Sequence, residues 1–330
     1  MGKGVKMQRR VAGRRLAAAA LGFGLLGPKQ LRAQDEGTVI RAIGTADLHG
    51  GTAATAERLR NGLERTSQER VRLQLEPNAA STPAVIESLR GGQATLGWVR
   101  VAEIADLAPE VAALSVPFLF RDPLKALGIL DTTSIGPLLN DQLRKQDLEP
   151  LGYLDMGALR LAGTGPISLP ALQGQRITAR PGSLRAKAFE ALGLELAPGV
   201  ARGASQGLAE LRTDDLAALA GGQGARALIE TPHGHDIVVV CANRARFGSL
   251  TPDVRELLRN QVQEVSVWER GGTVQVDASA LQSLRQQGVE VAPLPPAEMA
   301  AAHDKVKAAM TEALRNGEPS IVRTVLAYAD

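Results

Sequence analysis

Strand-like and helix-like segments alternate in the first third of the chain, and this alternation limits the folds that the chain can adopt. Residue patterns predict strands at TVIRAIGTA (38–46), VRLQLEP (71–77) and ATLGWV (94–99), with helices over 51–68 and 83–92. A repeated strand–helix–strand order favours parallel strands with helices on the faces of a sheet. Ligands of such sheets bind beyond the carboxyl ends of the strands, so we expect a binding site there.

The second half of the chain repeats this pattern and ends in long helices. The predicted strands are 148–155, 159–164, 175–183 (running into a loop), 236–243 and an edge strand at 289–295, and the predicted helices are 184–193, 204–222, 251–288 and 296–317. After a leader of 33 residues, about 297 residues remain, and a chain of that length usually folds into two lobes. We therefore predict an α/β protein with two lobes.

The first 33 residues have the composition of a secretory signal peptide. They carry eight Lys and Arg residues and no acidic residue, and they contain the apolar run LAAAALGFGLLG (16–27). That run is shorter than the ~20 residues that span a bilayer, so an uncleaved membrane anchor is the less favoured alternative. Cleavage is expected near Gln34, and the result is a periplasmic protein. Two Arg pairs before the apolar run leave export by the twin-arginine route open.

The charge of the remaining chain argues against a nucleic-acid partner. The full chain has 38 basic and 35 acidic residues, and removing the eight leader cations leaves 30 basic residues against 35 acidic ones. No basic stripe with interleaved aromatic residues follows the leader. The single cysteine, Cys241, lies in the apolar run IVVVCAN (237–243), which predicts a buried structural thiol and no disulfide within the chain.

The sequence contains no recognisable catalytic arrangement. It has no GxSxG, HExxH, P-loop or GxGxxG motif. His233, His235 and Asp236 lack further metal ligands at a suitable spacing, so we predict that they cap a loop. Asp214 and Asp215 are adjacent, which predicts a solvated helix face rather than an acid–base pair. We therefore predict a protein that is not an enzyme, with no catalytic residue, no metal and no cofactor.

Five segments occur in the order that is typical of one known family. They are EPNAAS (76–81), VIESLRGGQATLGWV (85–99), SVPFLFRDPLKALGILD (115–131), LGYLDMGALRLAGTGPISLPALQGQRI (151–177) and TPHGHDIVVVCANRARFGSLTPDVRELL (231–258). In these segments the chain resembles the solute-binding proteins of tripartite ATP-independent periplasmic (TRAP) transporters. The Pro-Phe-Leu-Phe string at 117–120, followed by Arg-Asp, is the most recognisable of the matching pieces.

The resemblance implies a two-lobed periplasmic binding protein of the class II type. Each lobe would be a mainly parallel sheet flanked by helices, with long C-terminal helices that cross the lobes. Such a protein closes on a small ligand, usually an organic acid, and delivers it to membrane transporter subunits that use an ion gradient. The implied borders are 34–157 plus about 243–280 for lobe I, and 158–242 plus about 281–330 for lobe II.

The resemblance also implies the residues of a ligand site. An arginine of the family binds the ligand carboxylate as a two-pronged fork, but Thr178 stands at its position and Arg180 follows two residues later. Residues two apart on a strand face the same side, so Arg180 is the predicted anchor. A second family arginine falls on Arg160 or on Leu159, depending on a slip of one residue. The remaining predicted contacts are a hydroxyl from Thr178, lining from Trp98 and Arg100, and a polar contact from Asp214.

Two alternatives stay open. The same fold serves a binding module that reports a ligand to a membrane sensor. The altered arginine positions also fit a pocket whose specificity has moved away from carboxylates.

Overall fold

The computed structural model describes residues 37–45, 51–132, 135–165, 167–179, 181–197, 208–219, 225–315 and 320–329. The strands are β1 (Thr38–Ile43), β2 (Val71–Leu75), β3 (Leu96–Arg100), β4 (Leu148–Gly163), β5 (Arg176–Thr178), β6 (Glu195–Ala197), β7 (Ala209–Arg212), β8 (Ala227–Ile229), β9 (Gly234–Asn243) and β10 (Glu290–Ala292). The helices are α1 (Gly51–Ser67), α2 (Thr82–Arg90), α3 (Pro109–Ala112), α4 (Lys125–Thr132), α5 (Ile135–Arg144), α6 (Leu184–Ala191), α7 (Thr213–Leu219), α8 (Arg244–Ser249), α9 (Pro252–Gln286), α10 (Pro296–Arg315) and α11 (Ser320–Ala327).

The predicted alternation in the first third of the chain is confirmed. Strand β1 pairs in parallel with β2 along Thr38–Ala42 and with β3 near its end, and α1 and α2 connect the three strands. Helix α2 begins where the sequence favours it, because Ser81 accepts a hydrogen bond from the Ala84 amide and Pro83 occupies the first turn.

The main sheet has eight strands and is mixed rather than mainly parallel. Its order is β10–β8–β4–β9–β3–β1–β2, with β7 on β4. Strand β9 returns between β3 and β4 and is antiparallel to both of them. The residues of β9 alternate between two apolar cores, so both faces of the strand are covered and nine of its ten residues are buried. The alternation of strands and helices in the sequence does not show which strands pair in antiparallel at the centre of the sheet.

The two strands predicted at 148–155 and 159–164 are one continuous strand, β4. Its register with β9 goes from Asp155 opposite Ile237 to Ala158 opposite His235, so β4 uses one residue more than its partner. This is a β-bulge, and Gly157 accommodates it with φ of +124°, which side-chain-bearing residues rarely adopt. The predicted break in the strand is therefore a bulge.

Helix α9 crosses the sheet as one helix of 35 residues, in agreement with the predicted helix. It packs against β4 at Gly152, where an added Cβ would lie 2.8 Å from Val262. One apolar core lies under α1 and the first half of α9, and a smaller core lies under α7 and the last turns of α9. The largest core lies on the other side of the sheet, among α2, α5, α6 and α10.

The Pro-Phe-Leu-Phe string is fixed to the centre of the sheet by its phenylalanines. The Phe118 amide donates to the His233 carbonyl over 2.8 Å, and the two rings stack with their centroids 4.8 Å apart. Phe118 and Phe120 both belong to the largest core. In the part of the chain that the structure describes, no helix has the length and apolar content needed to cross a membrane.

Candidate functional site

A cavity of about 300 Å³ lies beside the β4 bulge, where the carboxyl end of β7 meets the start of α7. We call it the central cavity. Its walls are Met156–Ala158 of β4, Thr213 and Asp214 of α7, Ala54 of α1, and six residues of α9: Trp268, Glu269, Gly272, Thr273, Val276 and Asp277. Its position beyond a strand's carboxyl end is the one expected for a ligand site on such a sheet.

Arg160 lies directly behind the wall of the central cavity. It is 3% exposed, and its Nε donates to the Glu230 carbonyl over 2.6 Å. Its Nη1 donates to the Thr213 hydroxyl, and its two η nitrogens form a two-pronged ion pair with Asp277 over 2.5 and 2.8 Å. Both Thr213 and Asp277 line the cavity, so the η edge of the guanidinium faces it with one carboxylate in between.

The alternation of side chains along β4 decides between Arg160 and Leu159. Side chains alternate along a strand, and Leu161 packs into the largest core while Ala162 packs under α7 and α9. Arg160 shares the face of Ala162, which places it on the side of α9 and the central cavity. Leu159 shares the opposite face with Leu161.

Arg212 neutralises two carboxylates at the other end of the cavity wall. It is 2% exposed, donates to both oxygens of Asp215 over 2.9 Å each and to Asp214 over 3.1 Å, and also donates to the Met156 carbonyl. Burial raises the pKa of Asp214 above its usual range, although the charge of Arg212 acts in the opposite direction. The two aspartates thus share a buried arginine, and the predicted solvated face is wrong.

Among the residues that the structure describes, no cation forms an ion pair with the cavity carboxyl of Glu269. It is 9% exposed, and Thr273 donates to its Oε2 over 3.1 Å. Burial raises the pKa of Glu269 to about 7, and the charge of Asp155 acts in the same direction. Near neutral pH, this side chain can therefore either donate or accept a hydrogen bond.

A second group of buried polar residues lies around the start of β9. Glu210 pairs with Arg185, and its Oε1 lies 2.7 Å from Nε2 of His233. Arg100 pairs with Asp236 over 3.1 Å, and the charges of both act on Arg185. Burial lowers the pKa of His233 well below its usual value, so the ring is neutral and donates from Nε2 to the carboxylate. The predicted loop cap is wrong, because His235 and Asp236 lie within β9.

The structure brings some of the predicted site residues together and separates others. Asp214 lines the central cavity, and Arg160 lies behind it. Arg100 belongs to the second polar group, on the carboxyl end of β3. Trp98 is 2% exposed in the core under α1, and Thr178 ends the two-stranded sheet of β5 and β6. Arg180 lies outside the described residues.

Four residues around the cavity and the second polar group were not predicted: Glu269, Asp277, Arg185 and Glu210. Asp277 and Glu269 sit on a long helix rich in charged residues, and only the packing of that helix shows which of them face the cavity. The sequence singles out His233 only by its neighbours His235 and Asp236, and its stacking on Phe118 exists only in the folded protein. Among the described residues, no three His, Cys, Asp or Glu side chains meet in a way that would hold a metal ion.

Comparison with known proteins assigns the chain to a family. Residues 47–198 and 223–316 match the family described as bacterial extracellular solute-binding protein, family 7. The chain is 28% identical over 240 residues to the 2,3-diketo-L-gulonate-binding periplasmic protein YiaO of Escherichia coli K12, covering 69% of this chain and 72% of that protein.

Solved structures of TRAP periplasmic binding proteins share the fold. The sugar acid-binding protein DctPAm of Advenella mimigardefordensis, in complex with galactonate, superposes with a TM-score of 0.79 at 22% identity and covers 89% of this chain and 98% of its own. A TRAP periplasmic solute-binding protein of Ochrobactrum anthropi gives a TM-score of 0.79 at 18% identity, covering 89% and 95%. The predicted two-lobed α/β fold is confirmed. The chain belongs to the bacterial extracellular solute-binding proteins of family 7, which serve TRAP transporters as binding proteins and are not enzymes.

Proposed function

We propose that the protein captures a small organic acid in the central cavity and delivers it to the membrane subunits of a TRAP transporter. A sugar acid is the first candidate class. Two similar proteins support this class, since one binds 2,3-diketo-L-gulonate and the other is a sugar acid-binding protein in complex with galactonate. We further propose that residues 1–33 are a signal peptide that directs the protein to the periplasm, with the twin-arginine route as one option.

The observation that supports an acid best is the geometry of Arg160. Its η edge faces the central cavity and already holds a carboxylate in two-pronged geometry. A guanidinium in this arrangement matches the planar carboxylate of a ligand. Thr213, Asp214 and Glu269 add oxygen atoms on the cavity wall, and these can accept hydrogen bonds from the hydroxyl groups of a sugar acid.

The remaining predicted contacts stay part of this proposal. Arg180 is the main proposed anchor, two residues beyond Thr178 at the carboxyl end of β5, and Thr178 supplies a hydroxyl. Arg100 is proposed as lining from the lobe I side. Trp98, the other proposed lining residue, precedes Arg100 on β3 with its ring in the core.

The test is binding of defined acids to protein purified from the periplasm. D-galactonate, D-galacturonate and orotate are titrated, with galactitol as a neutral counterpart that lacks the carboxylate. An acid at 100 times its Kd should add about 2.7 kcal/mol to the free energy of unfolding, which a melting curve detects. Thr213→Val should weaken acid binding and preserve the fold, because it removes a hydroxyl without emptying the site. Binding of galactitol but of no acid would contradict the proposal.

A cationic ligand is the second candidate, and the charges of the cavity wall favour it. Asp214, Glu269 and Asp277 line the cavity, and none of the described lining residues is Lys or Arg. A melting shift with ethanolamine or choline, in the absence of a shift with any acid, would favour this candidate. Copurification with a sensor kinase instead of transporter subunits would favour a role in sensing.

A further inference from the structure

Asp277 occupies the place where a ligand carboxylate would bind Arg160. We propose that Asp277 is an internal competitor that an incoming carboxylate must displace, so that α9 takes part in selecting the ligand. This inference rests on the proposed function, because it concerns the same cavity. It adds a residue that sets specificity and a reason why a neutral molecule of similar shape is excluded.

The donors of Arg160 leave no other two-pronged route for a carboxylate. Its Nε is used by the Glu230 carbonyl, and its Nη1 also serves the Thr213 hydroxyl. The edge formed by the two η nitrogens donates to the two carboxylate oxygens of Asp277, over 2.5 and 2.8 Å. A guanidinium has five N–H groups in a fixed fork, so a second carboxylate cannot join the same edge while Asp277 remains there.

Asp277, rather than Arg160, is free to move. The side chain of Arg160 is 4% exposed and is held by two contacts that do not involve Asp277, whereas the side chain of Asp277 is 20% exposed. Asp277 follows Val276, which is 53% exposed. A change in the rotamer of Asp277 therefore moves its carboxylate into solvent. The displaced carboxylate is then hydrated, and its charge is not left buried.

The exchange conserves charge only for an anionic ligand. A ligand carboxylate takes over the hydrogen bonds that Asp277 gives up, so Arg160 stays paired. A neutral polyol cannot replace that charge, and displacing Asp277 would leave a buried guanidinium without a counter-ion. Asp277 belongs to α9, which packs on both α1 and α7. Ligand binding therefore removes a contact that holds this helix against the sheet.

The test compares acid affinities of the wild-type protein and Asp277→Asn by calorimetry. Removing the competing charge should tighten binding of D-galactonate or another acid of the panel about tenfold, equivalent to about 1.4 kcal/mol, and should leave galactitol unchanged. Asp131→Asn is the matched control, because Asp131 forms an ion pair with Arg270 of α9 and does not line the cavity. It should leave every affinity unchanged.

The outcomes separate this inference from the proposed function. Equal or weaker acid binding by a folded Asp277→Asn protein would overturn the exchange, while the proposed function would stand. Binding of no acid by either protein would overturn both. If the variant does not fold, a crystal structure of the wild-type protein with a bound acid provides the test. The ligand carboxylate should then contact both η nitrogens of Arg160, with Asp277 rotated away, and an intact Arg160–Asp277 pair would refute the inference.

Discussion

Buried charged residues at the centre of this molecule are arranged so that nearly every carboxylate has a cation against it. Arg160 pairs with Asp277, Arg212 with Asp214 and Asp215, and Arg185 with Glu210. Such pairing is required because an unpaired charge in the interior costs several kcal/mol. Glu269 departs from this pattern, and burial instead favours its protonated form.

The raised pKa of Glu269 predicts a specific dependence of stability on pH. Its pKa is about 7 in the folded protein and near its ordinary value when unfolded, so the folded state binds more protons between these values. The stabilisation is present below the ordinary pKa and is lost as pH rises toward 7. Glu269→Gln should therefore gain stability relative to wild type between pH 5 and pH 8, as measured by urea unfolding without ligand.

The control for this prediction is Glu256→Gln, at an exposed position of the same helix. Its difference in stability from the wild-type protein should not change over the same pH range. A pH-independent difference for Glu269→Gln would contradict the prediction, because it would show that the carboxyl does not titrate differently in the folded and unfolded protein over this range.

At the scale of elements, the β4 bulge is the feature that the sequence predicted least well. A strand pattern was recognised on either side of it, but the chain between Asp155 and Ala158 offers no alternation. The register of β4 against β9 exists only in the folded sheet. Even-numbered β4 residues face α9 on both sides of the bulge, from Leu154 and Met156 to Ala162, so Arg160 lies on the cavity side and Leu159 on the other face.

Gly157→Ala should destabilise the protein and disturb ligand binding together. There is room for a Cβ, since the nearest atom is 3.8 Å away, so the cost comes from the φ of +124° and is about 1–3 kcal/mol. The control is Gly174→Ala, at φ of +73° with no atom within 4 Å of a Cβ and away from the cavity. Both variants should unfold at lower urea concentration, but only Gly157→Ala should weaken acid binding. Unchanged acid affinity in Gly157→Ala would show that the bulge does not position the site.

At the scale of the whole molecule, β4 and β9 form the centre of a single sheet. The proposed border between the lobes at residues 157 and 158 falls within the β4 bulge, which makes this part of the strand the proposed hinge. Cys241 lies in β9 with β3 on one side and β4 on the other, and it is fully buried. Burial raises the pKa of its thiol, so it is predominantly protonated at neutral pH.

The reactivity of Cys241 should therefore report opening of the whole sheet. We expect negligible labelling by a thiol reagent in native buffer and complete labelling in denaturing urea. An acid at 100 times its Kd should slow labelling about hundredfold if labelling requires unfolding. Gln263→Cys, at an exposed position of α9, provides a control that reacts at once. Fast labelling of Cys241 without denaturant would mean that the centre of the sheet opens locally.

Local patterns in the sequence determined the elements and the family. Alternating residues fixed β1 to β3, the caps at Ser81 and Thr251 marked where α2 and α9 begin, and the ordered segments around the Pro-Phe-Leu-Phe string identified the TRAP relationship. These properties depend on neighbours in the chain, which a sequence shows directly. The tertiary structure decided the antiparallel insertion of β9, the side of β4 that carries Arg160, and its pairing with Asp277, 117 residues away. Such contacts depend on register and on helix rotation against the sheet, and both are set only when the cores pack.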